Sequence, residues 1–219
     1  MASYRIIDVS MWMDAFTFAS DQEVRVSGPF NRVGGNNPEF VYDITLCTQS
    51  GTHIQGGHYF REEGKRIEEY PLSAFEGEAF LVDITKRGTD TTQVELAQII
   101  DGIDLRGKIL ILRTGHMEEV IKTGKLESVS RPGLSLEAAV YLVETKGIKM
   151  LAIDSFGVES RATQNYDVNY YLCGKDILIL EGLVNLAAVS KREVFLEAFP
   201  LKIRGVEGTP CRAIIKEPI

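Results

Sequence analysis

The chain has 219 residues, 44% hydrophobic and 25% charged, with a formal net charge of -7. That is enough apolar material for a full globular core, and the acidic balance argues against nucleic acid or an anionic membrane as partner, since both are held by clustered Lys and Arg. No apolar run approaches the roughly 20 residues needed to cross a bilayer. The opening MASYRIIDVS lacks the layout of a signal peptide, and Cys47, Cys173 and Cys211 form no C-x-x-C pair, so a cytoplasmic protein with reduced thiols is expected.

In chain order, Arg5–Val9 reads as a first strand. From Asp14 to Glu39 the turn formers Ser27, Gly28, Pro29, Gly34, Gly35, Asn36, Asn37 and Pro38 predict a long loop, of a length that often serves as a lid or binding arm. Trp12 lies just before it and Phe16 and Phe18 at its start, and the three suit core packing as well as a binding role. Phe40–Cys47 alternates as a strand and leads into a polar stretch, Thr48–His53, the placement in which α/β proteins tend to hold their chemistry. The mixed charges of Arg61–Glu69 read as a solvated face.

Ala79–Ile84 and Lys108–Leu112 are short apolar runs that predict buried strands. Between them, Thr92–Ile100 predicts a short helix with Val94, Ala97, Ile99 and Ile100 on its apolar face. Lys122–Glu127 is a second solvated stretch. Ser135 can cap a helix whose apolar side is Leu136, Ala139, Val140 and Val143 and which Gly147 ends. Lys149–Asp154 and Asp176–Glu181 follow as strands, and Val194–Phe199, Leu201–Ile203 and Ala213–Ile215 predict paired strands near the C-terminus. With no repeat and no composition break, one domain over residues 1–219 is expected, with a loop arm at about 14–39. The fold class is α/β, a mixed sheet with flanking helices. The βα order is irregular, which argues against a Rossmann or barrel architecture.

The segment SGTHIQGGHYF over Ser50–Phe60 is the most informative. Its small residues let backbone approach a ligand closely, and His53 and His58 can face one centre. It resembles the motif H-x-G-T-H-x-D-x-P-x-H of the cyclase family, which includes kynurenine formamidase-type and isatin hydrolase-type metal hydrolases. Arg131–Ala139 (RPGLSLEAA), Ile179–Leu186 (ILEGLVNL) and Pro200–Gly205 (PLKIRG) are similar to further landmarks of that family, in the same order.

The resemblance implies a swivelling β/β/α fold and a homo-oligomer, dimer or tetramer. In the family, histidines, an aspartate and a glutamate bind one or two divalent ions whose bound water attacks a carbonyl. Carried over, the middle histidine is His53 and the glutamate is Glu181. The first histidine falls on Gln49, the aspartate on Gln55, the proline on Gly57 and the later histidine on Asn169. The last motif histidine falls on Tyr59, or on His58 if one residue has been deleted.

Amide side chains are poor zinc ligands but good paired donors and acceptors. The expectation is therefore an enzyme acting on a small carbonyl compound, aromatic or heterocyclic in kind, by metal-independent acid/base chemistry such as ring closure, elimination or hydrolysis. His53, His58, Glu181 and Tyr59 are its catalytic candidates, and Gln49, Gln55, His116, Asn169 and Trp12 its substrate contacts. One alternative is a one-metal amide hydrolase holding zinc or manganese on His53, His58 and Glu181. Another is a homologue that binds a metabolite without catalysis.

Overall fold

The structure, a computed structural model, describes residues 3–15, 23–31, 39–85, 90–125, 131–159 and 165–219. Phe16, Phe18 and the stretch Gly34–Pro38 lie outside the described residues. The strands are β1 (Tyr4–Asp8), β2 (Arg25–Phe30), β3 (Val41–Thr45), β4 (His53–Gln55), β5 (Glu76–Asp83), β6 (Asp90–Thr91), β7 (Ile109–Arg113), β8 (Gly133–Leu134), β9 (Met150–Ile153), β10 (Leu178–Glu181), β11 (Glu193–Pro200) and β12 (Gly208–Pro218). The helices are α1 (Gln93–Ile100), α2 (His116–Thr123), α3 (Leu136–Val140, continued by a π turn over Tyr141–Thr145) and α4 (Asp167–Gly174).

The main sheet runs β1-β12-β11-β5-β7-β9-β10-β4, and β4 also pairs with β12. The ring from β12 round to β4 is thus closed, a seven-stranded barrel with β1 added outside the ring. The sequence expectation that a barrel is unlikely does not hold. The element order is irregular, as read, but closure is made by β4, three residues long and antiparallel to both β10 and β12.

Alternation along each strand sorts side chains between two cores. Ile54, Ala79, Leu81, Ile109, Ile111, Met150, Ala152, Leu178, Leu180, Leu196 and Ile215 pack inside the barrel. Their neighbours Phe80, Val82, Leu110, Leu112, Leu151, Ile153 and Ile179 point outward against α1, α3 and α4. Strands β5, β7, β9 and β10 are therefore buried on both faces and read as continuous apolar runs. β11 carries no helix, and its burial alternates.

Helix α1 begins at a capping box in which the Thr92 hydroxyl accepts from Glu95 N at 3.3 Å and Thr92 N donates to Glu95 Oε2 at 2.8 Å. Its buried residues are Leu96 and Ile100, while Val94, expected on the inner face, is exposed. Leu201–Ile203, expected as a strand, is not one. The region expected to be a long loop contains β2, which pairs with β3 as an exposed antiparallel ribbon separate from the barrel. Val26, Tyr42 and Ile44 stand exposed on it. Among the described residues no helix is long and apolar enough to cross a membrane.

The turn from β7 into α2 is tied to the end of β9 by one buried carboxylate. Asp154 Oδ1 accepts from Thr114 N at 2.5 Å and from the Thr114 hydroxyl at 2.7 Å, and Oδ2 accepts from Gly115 N at 2.8 Å. Burial pushes the Asp154 carboxyl up from 3.8 to about 6 against the pull of these bonds.

Two predictions follow from this frame. Ile54→Ala empties an interior position on the closing strand and should cost about 2–4 kcal/mol in urea unfolding; a loss below about 1 kcal/mol would mean that β4 does not close the barrel. For Asp154, the folded state holds its proton more tightly than the unfolded chain, so its contribution is present below pH 3.8 and is lost as pH rises through about 6. The unfolding free energy of the protein minus that of Asp154→Asn should therefore fall, by on the order of 1–2 kcal/mol, between about pH 5 and about pH 7.5. A difference that stays level or grows counts against the raised pKa.

Candidate active site

Because Ile54 faces the barrel interior, His53 and Gln55 on either side of it face outward, where α4 covers them. The register sets Glu181 opposite His53 and Ile179 opposite Gln55. The segment before β4 is locked by Thr52, whose hydroxyl donates to Gly182 O at 2.6 Å and accepts from Met11 N at 2.9 Å. The segment after it is held by Tyr70, whose hydroxyl accepts from Gly57 N at 2.9 Å. A Cβ on Gly56 would lie 2.7 Å from the Tyr70 ring, which is why a glycine sits there.

His53 and Glu181 form the centre of the site, with His53 Nε2 3.6 Å from Glu181 Oε2 and both side chains almost wholly buried. His53 Nδ1 is 2.9 Å from Gly51 O. A carbonyl only accepts, so this contact places a proton on Nδ1 and turns Nε2, the nitrogen that gains or gives up a proton, toward Glu181. The Phe156 ring stacks on His53 at 6.3 Å between centroids. Burial pushes the Glu181 carboxyl up from 4.5 to about 7; the charge of Glu159 adds to the rise, while Arg131 and the Gly157 N–H oppose it.

Arg131 is buried, and it holds the loop after β9 in place. Its Nε and Nη2 donate to Glu159 O at 3.1 and 2.8 Å, and Nη1 donates to Phe156 O. The guanidinium lies flat against Gly157, where a Cβ would come within 2.7 Å of it and where φ is +111. Both the space and the backbone conformation call for glycine.

A polar chain runs beside this pair. Gln55 Nε2 donates to Asn169 Oδ1 at 3.4 Å, a long bond, and Asn169 Nδ2 donates to Glu159 Oε2. All three side chains are buried. Burial raises the Glu159 pKa, opposed by the Asn169 contacts, by Arg131 and by the backbone N–H of Val168.

The structure brings His53, Gln55, Asn169 and Glu181 together. Gln49 instead donates from Nε2 to Glu207 Oε1 at 3.0 Å, beside a 2.5 Å bond from the Thr48 hydroxyl to the same oxygen. Tyr59 is exposed, and burial of its phenol, then the charges of Glu181 and Glu207, raise its pKa. His58, the other candidate for the last motif position, sits in the 3-10 turn Gly57–Tyr59 with its N–H on Lys65 O at 3.0 Å. No contact described in the structure joins it to His53 or Glu181. His116 opens α2 and is buried, and its Nδ1 is 3.3 Å from the Ser155 hydroxyl, next in sequence to Phe156. Trp12 is exposed and lines a neighbouring cleft of about 480 Å³ with Met11, Met13, Phe199, Leu201 and Pro210.

Three groups here were not assigned from sequence. Arg131 lies within a quoted landmark, but nothing in the letters marks its guanidinium as buried. Glu159 and Glu207 are isolated glutamates whose spacing to the other site residues carries no signal. Among the described residues, no group of three or more His, Cys, Asp or Glu side chains is arranged to hold a metal ion.

The Cyclase family model matches residues 7–160 of the chain. A kynurenine formamidase of Geobacillus thermodenitrificans is 31% identical over 181 residues, covering 81% of this chain and 80% of its own. Isatin hydrolase A from Labrenzia aggregata superposes with a TM-score of 0.85 at 20% identity, over 99% of this chain and 94% of its own. A structure from Bacillus stearothermophilus described as a predicted metal-dependent hydrolase gives a TM-score of 0.78 at 24% identity, over 99% of this chain and 100% of its own. A family model over more than half of the chain and a 31% identical kynurenine formamidase show that the chain belongs to the Cyclase family and is a hydrolase-type enzyme of that family.

Proposed function

We propose that this protein hydrolyses the C–N bond of a small amide or lactam by proton transfer at the His53–Glu181 pair, without a metal ion. The observation that carries this reading is the fixed orientation of His53, with Nδ1 on the Gly51 carbonyl and Nε2 3.6 Å from Glu181 in a buried setting. In the proposed reaction a water adds to the substrate carbonyl as His53 Nε2 takes its proton. Glu181, which burial favours in its protonated form, then supplies a proton to the departing nitrogen as the C–N bond breaks. The products are a carboxylic acid and an amine, and the His53 proton passes to Glu181 to restore the pair. Arg131 limits the cost of holding negative charge here. The Glu181 charge acts on the Tyr59 phenol, which supports Tyr59 as a donor to the substrate's polar end.

The family resemblance implies a divalent cation, and the residues of this site do not fit one. His53 and Glu181 are joined by amides rather than by further imidazoles or carboxylates, Glu159 is engaged by Asn169, and a guanidinium lies within the same cluster. A cation there would face that guanidinium with too few anionic donors. No step of the mechanism is therefore routed through a metal.

The cleft lined by Trp12, the two methionines and Phe199 supports an aromatic or heterocyclic substrate body. Pro210 on its wall is the register partner of His53, so the cleft adjoins the polar centre. We further infer one domain with the β2–β3 ribbon as its arm, and a homo-oligomer, dimer or tetramer, that covers the ribbon's exposed apolar side chains. The free thiols Cys47, Cys173 and Cys211 favour the cytoplasm.

On a panel that includes N-formylkynurenine and isatin, His53→Gln and Glu181→Gln should each lower kcat/KM by about 10²–10⁴, with the fold retained by circular dichroism. Treatment with EDTA or 1,10-phenanthroline should leave the rate unchanged. Loss of activity on chelation, restored by zinc or manganese, would replace this reading with a one-metal hydrolase. A substrate that binds and is recovered intact would point to a binding protein.

A further inference from the structure

The polar chain beside the catalytic pair has a direction that its chemistry fixes. An ionised carboxylate only accepts hydrogen bonds, so Glu159 in that form draws the Asn169 NH2 toward itself, and Asn169 Nδ2 lies against Glu159 Oε2. Asn169 Oδ1 then faces Gln55, which answers with its own NH2 at 3.4 Å. The remaining atom, Gln55 Oε1, is left as an acceptor. It is buried in a residue 1% exposed, and no described residue donates to it. Leaving such an acceptor without a donor costs about 1–3 kcal/mol, so the atom calls for one.

The placement of that acceptor matters. Gln55 and His53 share the outward face of β4, two residues apart on one strand, with Glu181 opposite His53. A group bound at the catalytic pair therefore meets the same face of β4 that carries Gln55. Glu159 sits at the first turn of α4, where the backbone N–H groups of Val168 and Asn169 oppose the rise in pKa that burial imposes on it. Arg131 grips the Glu159 carbonyl from the other side.

We propose that Glu159 is a positioning residue that, through Asn169, fixes Gln55 as a hydrogen-bond acceptor, so that the site selects ligands carrying an N–H beside the carbonyl. This rests on the site assignment above but not on hydrolysis itself. Unsubstituted amides, lactams and imides fit the requirement. Their N-alkylated counterparts and esters leave Gln55 Oε1 without a partner, and discrimination built on an unpaired buried group can be large. The device depends on residue 159 being unable to donate. Glutamine there could give a proton to Asn169 Oδ1, reversing Asn169 and then Gln55, so that the site would offer an N–H instead of an acceptor.

The test has two parts. A neutron structure of the perdeuterated protein should show deuterium on Gln55 Nε2 directed at Asn169 and on Asn169 Nδ2 directed at Glu159; either amide found reversed overturns the proposal. Calorimetric binding to two matched pairs, isatin with N-methylisatin and phthalimide with N-methylphthalimide, should favour the N–H member by about tenfold or more. That preference should shrink to about threefold or less in Glu159→Gln and in Gln55→Leu, and persist in Glu159→Asp. Equal binding within each pair, a preference unmoved by Glu159→Gln, or no binding of any of the four compounds would overturn it, and if Glu159→Gln fails to fold the neutron structure and Gln55→Leu still decide. Because binding rather than turnover is read, N–H preference without hydrolysis would sink only the catalytic reading. Hydrolysis without N–H preference would sink only the relay.

Discussion

Closure of the barrel by β4 is the constraint on which the rest depends. A strand of three residues must pair on both edges, with β10 and with β12, and must give the interior one apolar side chain. Ile54 meets that demand, and alternation then commits His53 and Gln55 to the outer face. On a two-layer protein that face would be solvent. Here Asn169 of α4 meets Gln55 and the Phe156 ring stacks on His53, so a histidine and an amide are buried. The site is thus a by-product of sealing the sheet: the hydrogen bonds that close the ring are the same ones that hold the His53 backbone opposite Glu181. A one-residue slip of β4 would send Ile54 outward and both polar side chains into the hydrocarbon interior. That alternative is so costly that the register, and with it the geometry of the site, is strongly specified.

Burial on this scale has an electrostatic consequence. Glu159 and Glu181 are both almost fully buried, and Arg131 is the guanidinium acting on each. Burial raises both carboxyls, that of Glu181 to about 7. Their surroundings differ. At Glu159 the N–H groups of Asn169 and Val168 and the Arg131 charge oppose the rise, whereas Glu181 has the Gly157 N–H, Arg131 and a histidine beside it. Two carboxylates in one cluster, held in unlike surroundings, can take unlike roles, one as a fixed anchor and one as a carrier of protons.

Much of the frame was legible in the sequence, and what was missed has physical reasons. The runs AFLVDI, KILIL and DILILE announced β5, β7 and β10 because strands buried on both faces must be apolar at successive positions. The landmark residues His53, Glu181, Gln55 and Asn169 came from the family resemblance and meet in space. Barrel closure was invisible, since three residues of β4 carry no period and edge pairing is a long-range property. β2 was hidden by Ser27, Gly28 and Pro29, which read as turn formers yet lie within an exposed ribbon. Helix α2 opens at Gly115 in a left-handed conformation without a side-chain cap, and α4 likewise opens without one, so the usual start signals are missing. His116 and Trp12 were expected at the substrate. His116 contacts Ser155, next in sequence to Phe156, and Trp12 lines the cleft that Pro210 also lines.

Replacing ionic ligands by amides changes what a buried site must control. An imidazole or carboxylate aimed at a cation has its polarity set by the cation. A neutral amide has none imposed, because rotating it by half a turn exchanges donor for acceptor at nearly the same shape. A buried Gln55–Asn169 pair alone would therefore present either face to a ligand and recognise neither well. Anchoring the far end on a group that, when ionised, can only accept breaks this symmetry for the whole chain, and the start of α4 and Arg131 both oppose the protonation that burial favours there. Gly157 belongs to the same requirement, since any side chain there would push the guanidinium out of its seat. Read in this order, glycine, arginine, glutamate, asparagine and glutamine form one device, each member needed because the next has two orientations and the site has use for one.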